Sequence, residues 1–289
     1  MNILLHIISL KFRILPRAVA LFFGRCLGVF IYYFVPLRQN VATQNIKIAF
    51  PEYSPSTVKR LLKNTCKHYG MVLIDFLRQP NLDVKNITNF VQMDDETKHV
   101  LDKHDGGIIM TGHLGNWEAF LPALGLNGYP FVVVTQTQKS AGSQKFFNGI
   151  RDFPNISLIP RTGSRKKMLT VLEEKMFLGL ASDQNAGKRG VKIPFFNEPA
   201  SIPKGAALFH LKTGMPIIVG FCILSKGLKY NLRLREINLS SIPSEKEDAI
   251  IEINTQFSAL LEKEVREYPE QYFWFHRKWK KSTYNTINK

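Results

Sequence analysis

Acid is scarce in this chain of 289 residues: 23 Asp and Glu stand against 39 Lys and Arg, a formal net charge of +16. Such an imbalance points to an anionic partner, and nucleic acid and an anionic membrane surface are the usual two. Residues 1–51 hold no acid at all, and their cations Lys11, Arg13, Arg17, Arg25, Arg38 and Lys47 are interleaved with long apolar runs. That mixture suits a lipid interface better than a phosphate groove. The C-terminal HRKWKKSTYNTINK is also acid-free, and in isolation it reads as a nucleic-acid patch. Cysteine is equally sparse. Cys26, Cys66 and Cys222 are widely spaced and form no Cys-x-x-Cys pattern. This argues against a disulfide framework and against zinc, and for a reducing compartment. No small-residue cleavage site follows ILLHIISL, so a removable signal peptide is not expected. Internal repeats and low-complexity linkers are absent too, while 45% apolar and 11% aromatic content supplies enough material for a large core.

The N-terminal region contains the one candidate spanning segment, residues 18–35, AVALFFGRCLGVFIYYFV. Its Val, Leu, Ile and Phe each favour insertion by roughly 0.3 to 0.6 kcal/mol, but Arg25 near the middle costs roughly 2.5 to 3.5 kcal/mol. Both flanks are basic, so the positive-inside rule gives no orientation. A membrane-associated helix is expected, either crossing the bilayer or lying in the interface. A buried core helix is the remaining alternative.

Beyond residue 50, PSTVKRLLKNTCKHYGMVLIDFL reads as a helix from about Pro55 to Leu77, capped by Ser54 or Ser56. Strand and helix patterns then alternate, with near-continuous apolar strands such as GIIMTG, PFVVVTQTQ, ISLIP, FLGLASD and MPIIVGFCIL. LKYNLRLREI follows the last of these as an antiparallel partner, and a long amphipathic helix runs through residues 244–269. This pattern predicts an α/β fold with a mostly parallel sheet and flanking helices. Residues 1–50 are expected to form a membrane-facing helical region, and residues 51–289 a catalytic domain.

In such a sheet, chemistry sits in the crevice at the carboxyl ends of the strands. His113 falls at the end of GIIMTG, Asp183 ends FLGLASD, Arg161 follows ISLIP, and Gln136 lies near the end of PFVVVTQTQ. Convergence of four polar groups outweighs any one of them. His113 and Glu118 are separated by five positions, about 140° around an ideal helix, so they share no helical face. With His113 in a turn and Glu118 in the first helical turn, the carboxylate is expected to fold back to one imidazole nitrogen. Gly112 and Gly115 permit that backbone path. A carboxylate there fixes the tautomer and raises the basicity of the other nitrogen, which makes a general base. No Gly-x-Ser-x-Gly elbow occurs, so the base has to act on a hydroxyl of the substrate. The structural alternatives are that Glu118 complements a helix N-terminus, that Asp183 is a helix cap and that Trp117 only packs. His210 reads as a core or pocket-wall histidine, and His276 as a contact to lipid or structure. His113 and Glu118 lack the two further ligands that a metal would need.

At these residues the chain resembles the lipid A biosynthesis acyltransferase family, within the wider glycerol-3-phosphate acyltransferase-like group. The matching pieces are NVATQNIKIAFPE (40–52), GHLGNWE (112–118), SDQNAGKRGVKIPFFNEPAS (182–201) and YPEQYFWFHRKWK (268–280), in the family's order and nearly end to end. The segment ASIPKGAALFHLKTG departs from it, placing Ser201, Lys204 and His210 where a more apolar helix belongs. The resemblance implies transfer of a fatty acyl group from an acyl thioester to a hydroxyl of a lipid A precursor or related membrane lipid. Other glycolipids or aminolipids are alternative acceptors. It implies His113 as the base and Glu118 as its orienting partner. Arg161 becomes a cation for phosphate or for developing negative charge, with Asp183 and Gln184 shaping the pocket or bracing that cation. Asn116, Gln136 and Lys204 complete the expected substrate contacts. The implied donor is acyl carrier protein, an acidic partner that suits the charge of +16, or acyl-CoA. No metal, cofactor or nucleic acid is expected, and the implied location is the cytoplasmic face of a bacterial inner membrane. A non-catalytic basic membrane or nucleic-acid binding protein is the competing class. It accounts for the charge but not for the four groups at strand ends.

Overall fold

The computed structural model describes residues 2–35, 38–280 and 282–284. Residues 1, 36, 37, 281 and 285–289, which include parts of the N-terminal region and of the acid-free tail, lie outside the described residues. Three helices open the fold: α1 (Asn2–Ile14), α2 (Arg17–Phe34) and α3 (Gln39–Ala49). The helix expected from residue 55 is α4 (Pro55–Arg78). Ser54 caps it by accepting a hydrogen bond from the Thr57 N–H, and Pro55 sits where its missing N–H costs nothing.

α2 lies antiparallel on α4, and glycine sets how closely. A Cβ on Gly28 would come within 2.2 Å of the Cys66 carbonyl oxygen, and one on Gly24 within 2.8 Å of the Gly70 carbonyl oxygen. The two backbones therefore touch, which only glycine allows here. α3 packs differently. Its Ala42, Ile46 and Ala49 join the large core that also holds Val58, Leu61 and Leu62 of α4.

The rest alternates as expected: α5 (Ile87–Phe90), β1 (Val91–Met93), α6 (Asp95–Lys103), β2 (Gly107–Thr111), α7 (Phe120–Gly125), β3 (Phe131–Thr135), α8 (Ala141–Ile150), β4 (Ile156–Pro160), α9 (Arg165–Glu173) and β5 (Phe177–Ala181). There follow β6 (Val191–Phe195), β7 (Glu198–Ile202), α10 (Gly205–Thr213), β8 (Ile217–Leu224), β9 (Tyr230–Glu236) and α11 (Lys246–Glu267). Seven strands form one sheet in the order β1-β9-β8-β2-β5-β3-β4. β8, β2, β5, β3 and β4 run parallel, β9 is antiparallel to β8, and β1 pairs parallel with β9. The mostly parallel α/β sheet is thus present, with β9 as the antiparallel partner.

Both faces of the sheet are covered, which is why its central strands are apolar throughout. Ile108, Met110, Leu178 and Val219 face the core built with α3, α4 and α11, while Ile109, Phe177 and Ile218 face the core built with α6 and α7. The hairpin β6–β7 has no counterpart in the sequence reading. Its two-residue turn, Phe196–Asn197, takes positive φ of 52° and 59° without any glycine to signal it.

Candidate active site

Register brings the site together. β2 and β5 are adjacent, with Thr111 paired to Ala181. His113 and Asp183 each lie two residues beyond that pair, so their side chains leave the same end of neighbouring strands. Asp183 Oδ1 lies 2.7 Å from His113 Nδ1, and Oδ2 accepts the His113 backbone N–H at 3.0 Å. One carboxylate therefore fixes both the ring and its backbone. Gln184 follows Asp183, and its amide Nε2 stands 3.3 Å from His113 Nε2, the ring nitrogen turned away from the carboxylate.

Glu118 is a correction to the expected geometry. It does not fold back to the imidazole but forms a two-pronged ion pair with Arg151, at 2.8 Å from Nε to Oε2 and 2.6 Å from Nη2 to Oε1. Asp183 occupies the place expected of it. The physical reason lies in the local backbone. Trp117–Ala119 is a tight turn of 3-10 helix ahead of α7, and it carries Glu118 toward α8, whose C-terminus presents Arg151.

The loop that carries His113 is held from three sides. The Tyr69 hydroxyl of α4 donates to the carbonyls of His113 (3.0 Å) and Gln271 (2.7 Å), and His68 Nε2 lies 3.3 Å from the Gly115 carbonyl. Gly115 has φ of +66°, and a Cβ there would meet the Cys222 carbonyl at 2.0 Å, so the loop folds onto β8 only with glycine. From the C-terminal segment the Phe273 N–H donates to the His113 carbonyl at 2.9 Å. The distinctive segments 40–52 and 268–280 meet at buried Asn45, whose Nδ2 donates to the carbonyls of Trp274 and His276 at 2.6 and 2.7 Å. Together these segments brace the loop that carries His113. His276 belongs to the brace: its Nε2 accepts the Asn185 N–H at 3.3 Å. His210, half-buried, is tied to the Met215 carbonyl at 2.8 Å.

Lys278 adds a buried cation beneath the pair. Its ammonium donates to the Asp183 backbone carbonyl and lies 4.5 Å from the centre of the Phe195 ring. Burial pulls its pKa down to about 8, against the opposing pull of the Asp183 carboxylate. Burial by itself would raise the pKa of Asp183. The His113 partnership and Lys278 outweigh it and hold the carboxyl at about 2. For His113, burial favours the neutral ring, but the charge and hydrogen bond of Asp183 prevail and raise its pKa above the ordinary value. An ionised carboxylate on Nδ1–H leaves Nε2 as a proton acceptor of enhanced basicity.

A cavity of about 220 Å³ opens beside the ring. His113, Glu118, Arg151 and Gln136 supply its polar lining, and Phe120, Leu121, Phe131, Val133 and Gly179 supply apolar wall. Trp117, expected only to pack, also lines it and meets the imidazole edge-on at 4.7 Å between ring centres. The other expected contacts scatter. Asn116 is wholly buried, with its N–H donating to the Cys222 carbonyl at 2.8 Å. Lys204 pairs with Glu247 at 3.0 Å at the start of α10. Arg161 follows β4 with its side chain exposed, three strands from β2 in the sheet order and so about 14 Å across at the usual strand spacing. Arg151, Lys278 and Tyr69 were not singled out from the sequence. Each comes from a distant segment; Lys278 lies within the matching piece 268–280, but nothing local gives it a role at His113.

A carboxylate-oriented histidine thus stands at the strand ends of an α/β sheet, next to an apolar cavity, an arrangement chemically suited to base-assisted transfer. The sequence profile of the bacterial lipid A biosynthesis acyltransferase family matches residues 2–281, and the chain belongs to that family. It is similar to the lipid A biosynthesis palmitoleoyltransferase of Escherichia coli (strain K12), 22% identical over 281 residues that cover 92% of this chain and 86% of that one. A phosphatidylinositol mannoside acyltransferase of Mycolicibacterium smegmatis is 26% identical over 126 residues, covering 42% of this chain and 41% of its own. Another of that description, from Mycobacterium tuberculosis (strain H37Rv), is 22% identical over 172 residues, 56% of this chain and 54% of its own. The protein is therefore an acyltransferase that acts on a lipid acceptor.

Proposed function

We propose that the protein moves a fatty acyl group from acyl carrier protein to a hydroxyl of a lipid A precursor or a related glycolipid, at the cytoplasmic face of a bacterial inner membrane. One observation carries this reading: the His113–Asp183 pair stands beside an apolar cavity, with Nε2 turned away from the carboxylate. The acyl chain lies along Phe120, Phe131 and Val133, and burying its methylenes supplies binding at about 0.8 kcal/mol each. His113 Nε2 takes the proton of the acceptor hydroxyl, displacing Gln184. The oxygen attacks the thioester carbonyl carbon, the C–O bond forms and the C–S bond breaks. The imidazolium then returns the proton to the departing thiolate. Asp183 stabilises the imidazolium between these steps, as a fixed carboxylate does in other base-assisted transfers. Glu118 acts through Arg151, holding that cation in the cavity wall. An acidic carrier protein suits the net charge of +16, and the same charge suits an anionic bilayer.

Mass spectrometry of the membrane lipids of cells with and without the protein tests this directly. A glycolipid that loses one acyl chain, and regains it when the wild-type gene is returned but not the His113→Ala variant, is the expected result. An unchanged lipid profile contradicts the reading, as does full restoration by the variant.

A further inference from the structure

The N-terminal helices leave an apolar surface that the fold does not cover. On α2, Val19, Phe22, Phe23, Cys26, Phe30, Tyr33 and Phe34 are exposed, Phe22 at 61% and Phe34 at 72%. At 100° per residue they fall within an arc of about 120°. The opposite side of α2, which carries Ala20, Leu21, Gly24 and Gly28, is buried on α4. α1 continues the surface with Leu4, Ile7, Leu10 and Ile14, the last 77% exposed. Lys11 and Arg25 are exposed alongside, and residues 1–51 contain no acid.

The way α2 is held decides how that surface meets a bilayer. Arg17 forms a two-pronged ion pair with Asp75 at 2.8 and 2.7 Å. Gly24 and Gly28 touch Gly70 and Cys66, Arg25 reaches the Met71 sulfur at 3.1 Å, and the Tyr33 hydroxyl accepts from Lys63 at 3.0 Å. These contacts run the length of both helices. α2 therefore cannot cross a bilayer without taking α4 with it, and with α4 go Lys63, Lys67 and the Tyr69 hydroxyl that holds the His113 loop. Its eighteen residues also span only about 27 Å, short of the ~30 Å hydrocarbon core.

We infer that α1 and α2 form a monotopic platform that lies in the plane of one anionic leaflet, apolar face inward, and do not span the membrane. Arg25 is then accounted for: it sits on the flank of α2 toward Met71, at headgroup level instead of mid-bilayer. Because α4 joins the platform to the His113 loop, the site is held at a fixed height above the lipid whose hydroxyl it serves. The inference rests on the reading of a membrane-acting acyltransferase, and it adds the orientation of the attachment.

Depth measurement tests it on the full chain. Cys26 is exposed on the apolar face, whereas Cys66 and Cys222 are buried, so a nitrobenzoxadiazole label can be directed to Cys26. Val19→Cys and Phe34→Cys, each in a Cys26→Ser background, place the label near the two ends of the same exposed face. The proteins are bound to phosphatidylethanolamine vesicles with a minority of phosphatidylglycerol, and quenched by lipids spin-labelled at shallow and deep positions. A platform predicts equal depths at all three sites, about 5–10 Å below the headgroup boundary. A middle label near the bilayer centre between two shallow ends is a spanning helix and overturns the inference. Vesicle binding without quenching at any site also overturns it, and a doubled mass by light scattering would then identify a second copy as what covers the face. Failure to bind vesicles at all removes both the platform and the membrane reading. Transfer to a detergent-dispersed lipid, measured in parallel, reports on the acyltransferase reading separately.

Discussion

Asp183→Asn replaces one carboxylate oxygen by an amide nitrogen in a group that faces two N–H donors, His113 Nδ1 at 2.7 Å and the His113 backbone at 3.0 Å. The amide oxygen can accept only one of them. If it accepts from the ring, the amide NH₂ is pressed against the backbone N–H. If it accepts from the backbone, the NH₂ donates to Nδ1 and forces the ring proton onto Nε2, the atom that has to receive the substrate proton. Either arrangement removes the charge that stabilises the imidazolium. The equivalent exchange in a serine protease triad lowers turnover roughly 10⁴-fold, which is ~5 kcal/mol of barrier. General-base assistance as a whole contributes about 10² to 10⁴-fold. We therefore expect turnover of Asp183→Asn to fall by at least ~10²-fold, toward the ~10⁴-fold limit. The assay is acyl transfer by purified protein to a lipid acceptor at saturating thioester, with near-ultraviolet circular dichroism as the check on folding. A folded variant that retains more than about a tenth of wild-type turnover refutes the orienting role. The same carboxylate also makes a pH prediction. Its pKa falls from an ordinary 3.8 to about 2, so its stabilising effect is present above pH 3.8 and disappears as pH drops through 2. Denaturant midpoints measured down that range should decline more steeply for the wild type than for Asp183→Asn.

Glu118→Gln should reduce turnover less than Asp183→Asn, because Glu118 anchors Arg151 instead of the ring; the reverse ranking in steady-state kinetics would restore Glu118 as the orienting acid. Lys278→Met removes a cation that opposes protonation of His113, so the acid limb of kcat/KM should move to higher pH. A limb that stays put or moves down contradicts the electrostatic link. Arg161 stands too far along the sheet to meet the reacting carbonyl, which favours a phosphate anchor over stabilisation of developing charge. Arg161→Lys should then raise KM for a phosphorylated acceptor with little change in kcat, since lysine loses the paired guanidinium hydrogen bonds. Equal defects on phosphorylated and phosphate-free acceptors, confined to kcat, would reject the anchor.

Much of the fold was readable because each strand–helix unit carries its own signal: apolar runs of strand length, a capped helix at Ser54, and polar groups placed where strands end. His113 was found that way. Asp183 was placed at a strand end in the same way, but its pairing with His113 was not foreseen, since it lies seventy positions away and reaches the ring only because β2 and β5 are neighbours in register. Strand order is a property of packing, and no local spacing encodes it. The five-residue step from His113 to Glu118 looked sufficient because both residues share one turn. Arg151 at the end of α8, competing for Glu118, belongs to another unit. Lys278 lies in a basic run that in isolation reads as a nucleic-acid patch, yet the fold buries it against Phe195 and the Asp183 carbonyl. The hairpin β6–β7 was missed for a local reason, its positive-φ turn being made of Phe196 and Asn197.

The central claim is that His113 removes a proton from a lipid hydroxyl during acyl transfer. Its most direct test is transfer of labelled acyl group from acyl carrier protein to lipid by purified wild type and His113→Ala, side by side. The account predicts labelled lipid with the wild type and at least ~10²-fold slower transfer by a His113→Ala protein that is folded and still binds thioester. Undiminished transfer by that folded variant would contradict it.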